Sequence, residues 1–377
     1  MRIAINTRFL ISTKMEGFGW YTYEIVRRLV ENHPEHTFIL FFDRPFDPKF
    51  IFGPNVTPVI LRPAARHPIL FILWFEFAIY KALKKQDVDV FLSPDGYLSI
   101  RSKIPQIAVI HDLNFEHYPK DIPFSARVYL RYFFPRFAKK AAKIITVSNY
   151  SKQDIVKTYE IHADKITVAW NGASDVFVPL SIDNQKAIRE KLTNGKPYFL
   201  FVGALHPRKN ITRLVEAYEK YRSTENPAHE LVIVGENLWK NSSVQFSISD
   251  AVKQTVHFTG HLPLEELAEV MGAASILTFI PYFEGFGIPL VEAMKCAVPI
   301  LSGNLTSLPE VGADAVEYCN PFDVQEIFEK MNSLSNNEKI LEELSSKGLQ
   351  RSKEFSWDTS AVIVWNEIEK IVKKSKI

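Results

Sequence analysis

Two carboxylates, two cations and a histidine stand where they could handle a sugar or a phosphate. Glu284 and Glu292 fall within FEGFGIPLVEAMKCAVPI, residues 283–300. Gly285, Phe286, Gly287 and Ile288 lie between the acids, and Pro289 suits the first turn of a helix. Glycines let backbone amides approach a ligand without a Cβ in the way. A helix N-terminus favours an anion beside them. Two acceptor-only groups around such a pocket suit the hydroxyls of a sugar and a ribose; the alternative is a capping acid and a solvated helix glutamate. In YFLFVGALHPRKNITRLVEAY, residues 198–218, a strand ends at Gly203 and Arg208-Lys209 follow at the turn. Two cations there could clamp a pyrophosphate; the alternative is an exposed basic turn.

In IAVIHDLNFEHYP, residues 107–119, His111 and Asp112 come directly after an apolar strand. A histidine so placed can donate to substrate oxygens or hold a developing charge. In NTRFLISTKMEGFGWYTYEIVRRL, residues 6–29, the glycines Gly17 and Gly19 flank Phe18 and open the first helix. Thr22 occupies the place of the third glycine of a dinucleotide fingerprint, which weakens a nicotinamide reading. Asp87-Val88-Asp89 resembles a metal-holding D-x-D but leads into an apolar strand, so it reads as a turn and strand start. No metal site is expected.

These residues need a scaffold. A chain of 377 residues suggests two domains, and 46% hydrophobic content is ample for their cores. A net charge of +2, from 45 basic and 43 acidic residues, gives no global field for nucleic acid. Two cysteines, Cys296 and Cys319, exclude a disulfide framework and fit a reducing cytoplasm. MRIAINTRFL reads as a short strand, not a signal peptide. The most apolar segment, residues 68–80, is shorter than the ~20 residues of a membrane span and is interrupted by Glu76.

Continuous apolar runs alternate with helical patterns throughout. They start at Arg2, Phe38, Val88, Ile107, Ile144 and Ile166, then at Tyr198, Leu231, Val256, Ser275, Val298 and Ala315. Strands covered on both faces and separated by helices imply parallel sheets. The expected architecture is two tandem Rossmann-like, doubly wound α/β domains facing a central cleft. Their bounds are 1–175 and 197–355, with a linker at 176–196 and a final helix at 356–377. In that helix Ala361, Val364, Trp365, Ile368 and Val372 fit one face. Ligands in such sheets bind beyond the carboxyl ends of the strands. Two segments, residues 66–85 and 126–143, join aromatics to cations. They read as core helices with cationic ends, or as a surface lying on a membrane.

Taken in order, these segments resemble the GT-B glycosyltransferases, specifically the large retaining family 4 (glycosyl transferases group 1). EGFGWYTYEI, VIHDLNFEHYP, KAAKIITVSNYSKQDIV, VGALHPRKNITRLVEAY, EGFGIPLVEAMKCAVPILSGN and SLPEVGADAVEYCNPFD carry the resemblance across nearly the whole chain. Glu284 and Glu292 match the E-x7-E motif, and the flavour is that of the mannosyltransferase-like branch, with His206 where an acid is usual.

The resemblance implies roles for individual residues. Glu284 would hold donor sugar hydroxyls and Glu292 the ribose, while Gly285, Phe286 and Gly287 offer amides. Ile288 and Gly203 would complete the donor side, and Lys209 with Arg208 would neutralise the diphosphate leaving group. His111 would contact the sugar near the reacting carbon. Gly17, Phe18, Gly19, Asp112, Ser148 and Asn149 would line the opposite, acceptor side. Many members carry an arginine where this chain has Ala204, which makes Lys209 the firmer assignment of the two cations.

The mechanism implied is retaining and metal-independent, the leaving phosphate deprotonating the incoming hydroxyl. No cofactor is expected, the nucleotide sugar being a substrate: GDP-mannose, with UDP-sugars open. The acceptor would be a saccharide or a lipid-linked glycan of cell-surface polysaccharide, handled in the cytoplasm or peripherally on the inner membrane face. A sugar-nucleotide epimerase on the same fold and a catalytically silent, sugar-nucleotide-binding partner are the alternatives.

Overall fold

The apolar runs become strands because parallel pairing leaves them covered on both faces. The computed structural model describes residues 1–12, 15, 17–236, 248–250 and 252–375. Glu16, the acid of the first EGFG, lies outside them. The chain divides into two units, Met1–Asn171 together with the segment from Ser356 onward, and Gly172–Phe355.

The first unit holds β1 (Arg2–Asn6), β2 (Thr37–Phe42), β3 (Val56–Ile60), β4 (Val90–Ser93), β5 (Gln106–Val109), β6 (Lys143–Thr146) and β7 (Ile166–Val168). Their order is β3-β2-β1-β4-β5-β6-β7, and every pairing is parallel. The second unit holds β8 (Tyr198–Val202), β9 (Glu230–Val234), β10 (Val256–Gly260), β11 (Ile276–Phe279), β12 (Ile300–Gly303) and β13 (Glu317–Cys319). Their order is β10-β9-β8-β11-β12-β13, again parallel. Each sheet therefore reverses its direction of travel once, between β1 and β4 and between β8 and β11. Loops part at such a switch point and leave room for a ligand at the carboxyl edge.

One strand was not legible in the sequence. In β3, VTPVI, the side chains are half-buried or exposed and Pro58 interrupts the run. Among the described residues the strand pairs only with β2, so it tolerates a proline as an edge strand does. The expected linker also differs. Residues 182–193 form a helix capped by Ser181, and Arg189 Nε donates to Ala273 O at 2.8 Å, so this stretch packs within the second unit.

The last helix, Trp357–Ser375, packs within the first unit. Trp365 stacks on His33 at 3.5 Å between centroids, Trp357 meets Tyr21 edge-on at 5.9 Å, and Arg28 Nε lies 2.5 Å from Asp358 Oδ1. Among the described residues, no helix is long and apolar enough to cross a membrane.

Candidate functional site

In the second unit the switch point gathers residues from loops far apart in sequence. After β8, Gly203 turns the chain at φ +147°, and a Cβ there would lie 3.5 Å from Lys209 Cε. The turn Pro207–Lys209 is capped by the His206 ring, which accepts from Arg208 N at 3.3 Å. Asn210, left-handed at φ +62°, donates to Ile280 O at 3.1 Å and to Pro321 O at 2.6 Å. This amide ties the β8 turn to the loops after β11 and β13. Tyr282 N donates to Arg208 O at 3.0 Å, so the cations and the acidic loop share a backbone bond.

The charged groups then converge. Arg208 Nη1 and Lys209 Nζ each lie 2.5 Å from Glu284 Oε1, and Glu284 is 7% exposed. Burial alone would raise this carboxyl; Arg208 and Lys209 outweigh it and hold it below the usual carboxylate range. The loop's rear is pinned as well: Glu284 N donates to Thr306 Oγ1 at 3.2 Å, and Ser307 Oγ donates to the carbonyls of Glu284 and Phe286 at 3.0 and 3.1 Å. The Phe286 side chain is buried and meets Phe355 edge-on at 5.7 Å, so the ring packs in the core and only its backbone is available to a ligand.

Gly287 opens the helix Ile288–Lys295 at φ +100°, and a Cβ there would approach Leu308 Cδ2 to 2.9 Å. Glu292, half-buried one turn inside that helix, is a different acid. Burial pushes its carboxyl up to about 7, against the pull of Lys209. Two acids of one motif thus hold different protonation near neutrality, one anionic and one poised.

In the first unit the matching edge holds His111. Its Nε2 lies 2.8 Å from Pro94 O, and the ring is flanked edge-on by Phe18 at 4.9 Å and Tyr21 at 4.7 Å. A carbonyl only accepts, so Nε2 carries the proton and Nδ1 does not. Burial lowers the imidazole pKa, opposed by the Pro94 carbonyl, Asp112 and Asp95. The expectation of a histidine that donates to substrate is therefore revised: the neutral ring presents an accepting Nδ1.

The other first-unit residues divide by role. Ser148 is fully buried and caps the helix Asn149–Tyr159, its Oγ accepting from Ser151 N at 3.0 Å, and Ser151 Oγ donates to His111 O at 3.0 Å. Asp112 Oδ1 accepts from Asn114 N at 3.0 Å and shapes the turn after His111. A Cβ on Gly19 would meet Phe9 O at 2.8 Å, so this glycine serves close packing, whereas Gly17 has nothing within 4 Å. Phe18 is 44% exposed between them. Asp89 accepts from Arg2 N at 2.8 Å at the amino end of β4, away from the ligand edge.

Sequence reasoning passed over the polar centre beneath this edge. Arg8 Nε lies 2.6 Å from Asp95 Oδ2, with both side chains at most 4% exposed. Asn6 Nδ2 donates to Asp95 Oδ1 at 2.8 Å, and the guanidinium packs 4.3 Å from the Tyr97 ring centroid. The available signal was NTR directly after β1 and SPDG at the end of β4, two polar clusters at strand carboxyl ends.

Known glycosyltransferase families match both halves of the chain. The family model described as Glycosyl transferases group 1 matches residues 183–351, and that described as Glycosyltransferase Family 4 matches residues 15–175. The chain is 28% identical to the O-antigen chain mannosyltransferase B of Escherichia coli, over 74% of this chain and 73% of that protein. It is 26% identical to the serotype-specific mannosyltransferase WbdA of Escherichia coli over 72% of this chain, spanning about a third (34%) of that longer protein. Among solved structures, Anabaena HepE in complex with UDP-glucose superposes with a TM-score of 0.75 at 15% identity, over 99% of this chain and 100% of that one.

Proposed function

The chain belongs to the glycosyl transferases of group 1, family 4, and from that premise we propose that it transfers a mannosyl group from GDP-mannose to a saccharide or lipid-linked acceptor, with retention of configuration and without a metal ion. The observation that carries this reading is the grip of Arg208 and Lys209 on Glu284 at the switch point of the second sheet. A diphosphate placed beside that grip meets two cations held by backbone bonds and by Asn210. Preorganised charge of this kind stabilises a leaving group without reorganisation during the reaction. Glu284, kept anionic by the same cations, accepts from sugar hydroxyls, and Glu292 accepts from the ribose.

The chemistry asks little more of the protein. The departing phosphate takes the proton of the incoming hydroxyl as the glycosidic bond to phosphate breaks and the new one forms on the same face. Positioning and leaving-group stabilisation then set the rate. His111, neutral and accepting through Nδ1, orients a hydroxyl near the reacting carbon. The mannose preference follows from the mannosyltransferase relatives, and a nucleotide-diphosphate donor agrees with the UDP-glucose held by a protein of the same fold. On this reading the chain acts in the cytoplasm or peripherally on the inner membrane face. No observation favours an epimerase or a silent partner, since the cations and Glu284 that transfer requires are assembled.

The test is transfer measured with GDP-mannose and UDP-glucose as donors. Lys209→Ala and Glu284→Ala are expected each to lower transfer by at least about tenfold with the fold intact. Native turnover in both variants would remove the reading. Preference for UDP-glucose would overturn the donor alone.

A further inference from the structure

The pair of Arg8 and Asp95 is buried in the first unit and has no part in the chemistry described so far. A buried ion pair is a weak source of stability, because desolvation offsets its attraction. A fully bonded polar cluster does, however, specify one arrangement of the groups around it.

Two strand ends build this cluster. Ile5 of β1 pairs with Leu92 of β4, so the residues that follow them meet. Arg8 Nε lies 2.6 Å from Asp95 Oδ2. Asp95 Oδ1 accepts from Asn6 Nδ2 at 2.8 Å, from Ser93 Oγ at 2.9 Å and from Tyr97 N at 3.3 Å. The guanidinium is itself enclosed. The ring centroids of Tyr97, Phe9, Phe71 and Phe75 lie 4.3, 4.7, 4.9 and 5.4 Å from it.

These bonds hold one turn. Gly96 N donates to Ser93 O at 3.2 Å. Gly96 stands at φ +83°, and a Cβ there would come 3.1 Å from Val109 O. The turn therefore lies against the end of β5, just before His111. Asp95 supplies the nitrogen of the peptide whose carbonyl oxygen is Pro94 O. That peptide is planar, so a carboxylate held at both oxygens also restrains where the carbonyl points. Pro94 O is the atom that accepts from His111 Nε2 at 2.8 Å.

His111 needs such a partner. Phe18 and Tyr21 meet its ring edge-on and set its plane. They do not distinguish the ring from its half-turn about Cβ–Cγ, which exchanges nitrogens for carbons in the same plane. Nor do they choose which nitrogen carries the proton, which is set by the hydrogen bond a ring nitrogen makes. The Pro94 carbonyl makes both choices.

We propose that Arg8 and Asp95 are positioning residues for transfer: by fixing the turn at residues 93–97 they aim the Pro94 carbonyl at His111 Nε2 and keep Nδ1 as the acceptor. The proposal deepens the reading above and rests on it only for the hydroxyl that Nδ1 meets.

The test reads the histidine directly as well as turnover. Arg8→Met leaves the Asp95 carboxylate buried without its cation, and the turn is expected to shift. R8M/D95N removes both charges and keeps an oxygen at residue 95 for Asn6, Ser93 and Tyr97. Nitrogen NMR of isotope-labelled histidine, with His111→Phe to assign the signal, should show the native ring protonated at Nε2. Arg8→Met is expected to show mixed tautomers and a kcat lowered at least about tenfold. Its Kd for GDP-mannose should stay within about twofold, because the donor groups belong to the second unit. R8M/D95N is expected to regain the native signal and a kcat within about threefold of native. Trp365→Ala, destabilised in the same unit, should keep signal and kcat at a temperature where it is folded. A native signal or native kcat in folded Arg8→Met would overturn the proposal, as would the same losses in Trp365→Ala. If the signal changes as expected but the native chain transfers from neither GDP-mannose nor UDP-glucose, the reading of the site fails and the positioning of His111 stands.

Discussion

Glu284 and Glu292 share a motif and differ in what surrounds them, and pH separates them. Glu284 is held below the usual carboxylate range by Arg208 and Lys209 despite its burial. The stability this adds is present above the unfolded pKa and is lost as pH falls through the folded value. Glu292 is raised from 4.5 to about 7 by burial. Between those values the unfolded chain has released a proton that the folded chain keeps, so stability falls as pH rises and then levels off. Glu292→Gln is therefore expected to melt above the native chain at pH higher than about 7 and together with it below about 4.5. Melting curves across that span check the sign, and an unchanged difference throughout would contradict it. At His111 the phenyl ring of His111→Phe can keep the packing against Phe18 and Tyr21 but offers no acceptor. Transfer is expected to fall by at least about tenfold, with a melting point lowered only by the lost bond to the Pro94 carbonyl, about 1–3 kcal/mol.

At the scale of elements, the helix entrances set the tolerance for substitution. Gly287→Ala forces a side chain onto a backbone at φ +100° and against Leu308, and is expected to cost about 1–3 kcal/mol. The first helix offers an internal control. Gly19→Ala meets the Phe9 carbonyl at 2.8 Å, whereas Gly17→Ala meets nothing within 4 Å. Denaturant unfolding should show a loss for the first and a change within about 0.5 kcal/mol for the second. The two EGFG sequences are thus physically different: in the second, Gly287 answers a backbone requirement, and in the first, Gly19 answers a packing one.

At the scale of the whole molecule, the last helix matters to the first unit through Trp365, 7% exposed and stacked on His33. Trp365→Ala is expected to cost about 3 kcal/mol by removing a buried ring, read as a lowered denaturation midpoint. A donor that binds only the folded state stabilises it by mass action, by about 2.7 kcal/mol at a hundredfold excess over Kd, and so raises the melting point. GDP-mannose should do so more than UDP-glucose at equal concentration. Lys209→Ala should abolish the difference.

Much of this organisation was legible in the residues themselves. Runs such as YFLFV and ILTF are apolar without alternation, which only strands covered on both faces require, and the charged turns after them fall at strand ends by chain order alone. Composition bounded the domain count and argued against a nucleic-acid field. Strand order was not legible, because pairing joins segments distant in sequence. Only when β8 and β11 become neighbours do Arg208 and Lys209 reach Glu284, more than seventy residues away. The same adjacency at β1 and β4 makes the Arg8–Asp95 pair. Tertiary structure also decided that Ser148 caps a helix, that Phe286 packs inward, that His111 Nε2 donates a hydrogen bond to the Pro94 carbonyl, and that two acids eight residues apart are shifted in opposite directions. Residue types limit what each group can do; burial and neighbours, which folding alone supplies, decide which of those things it does.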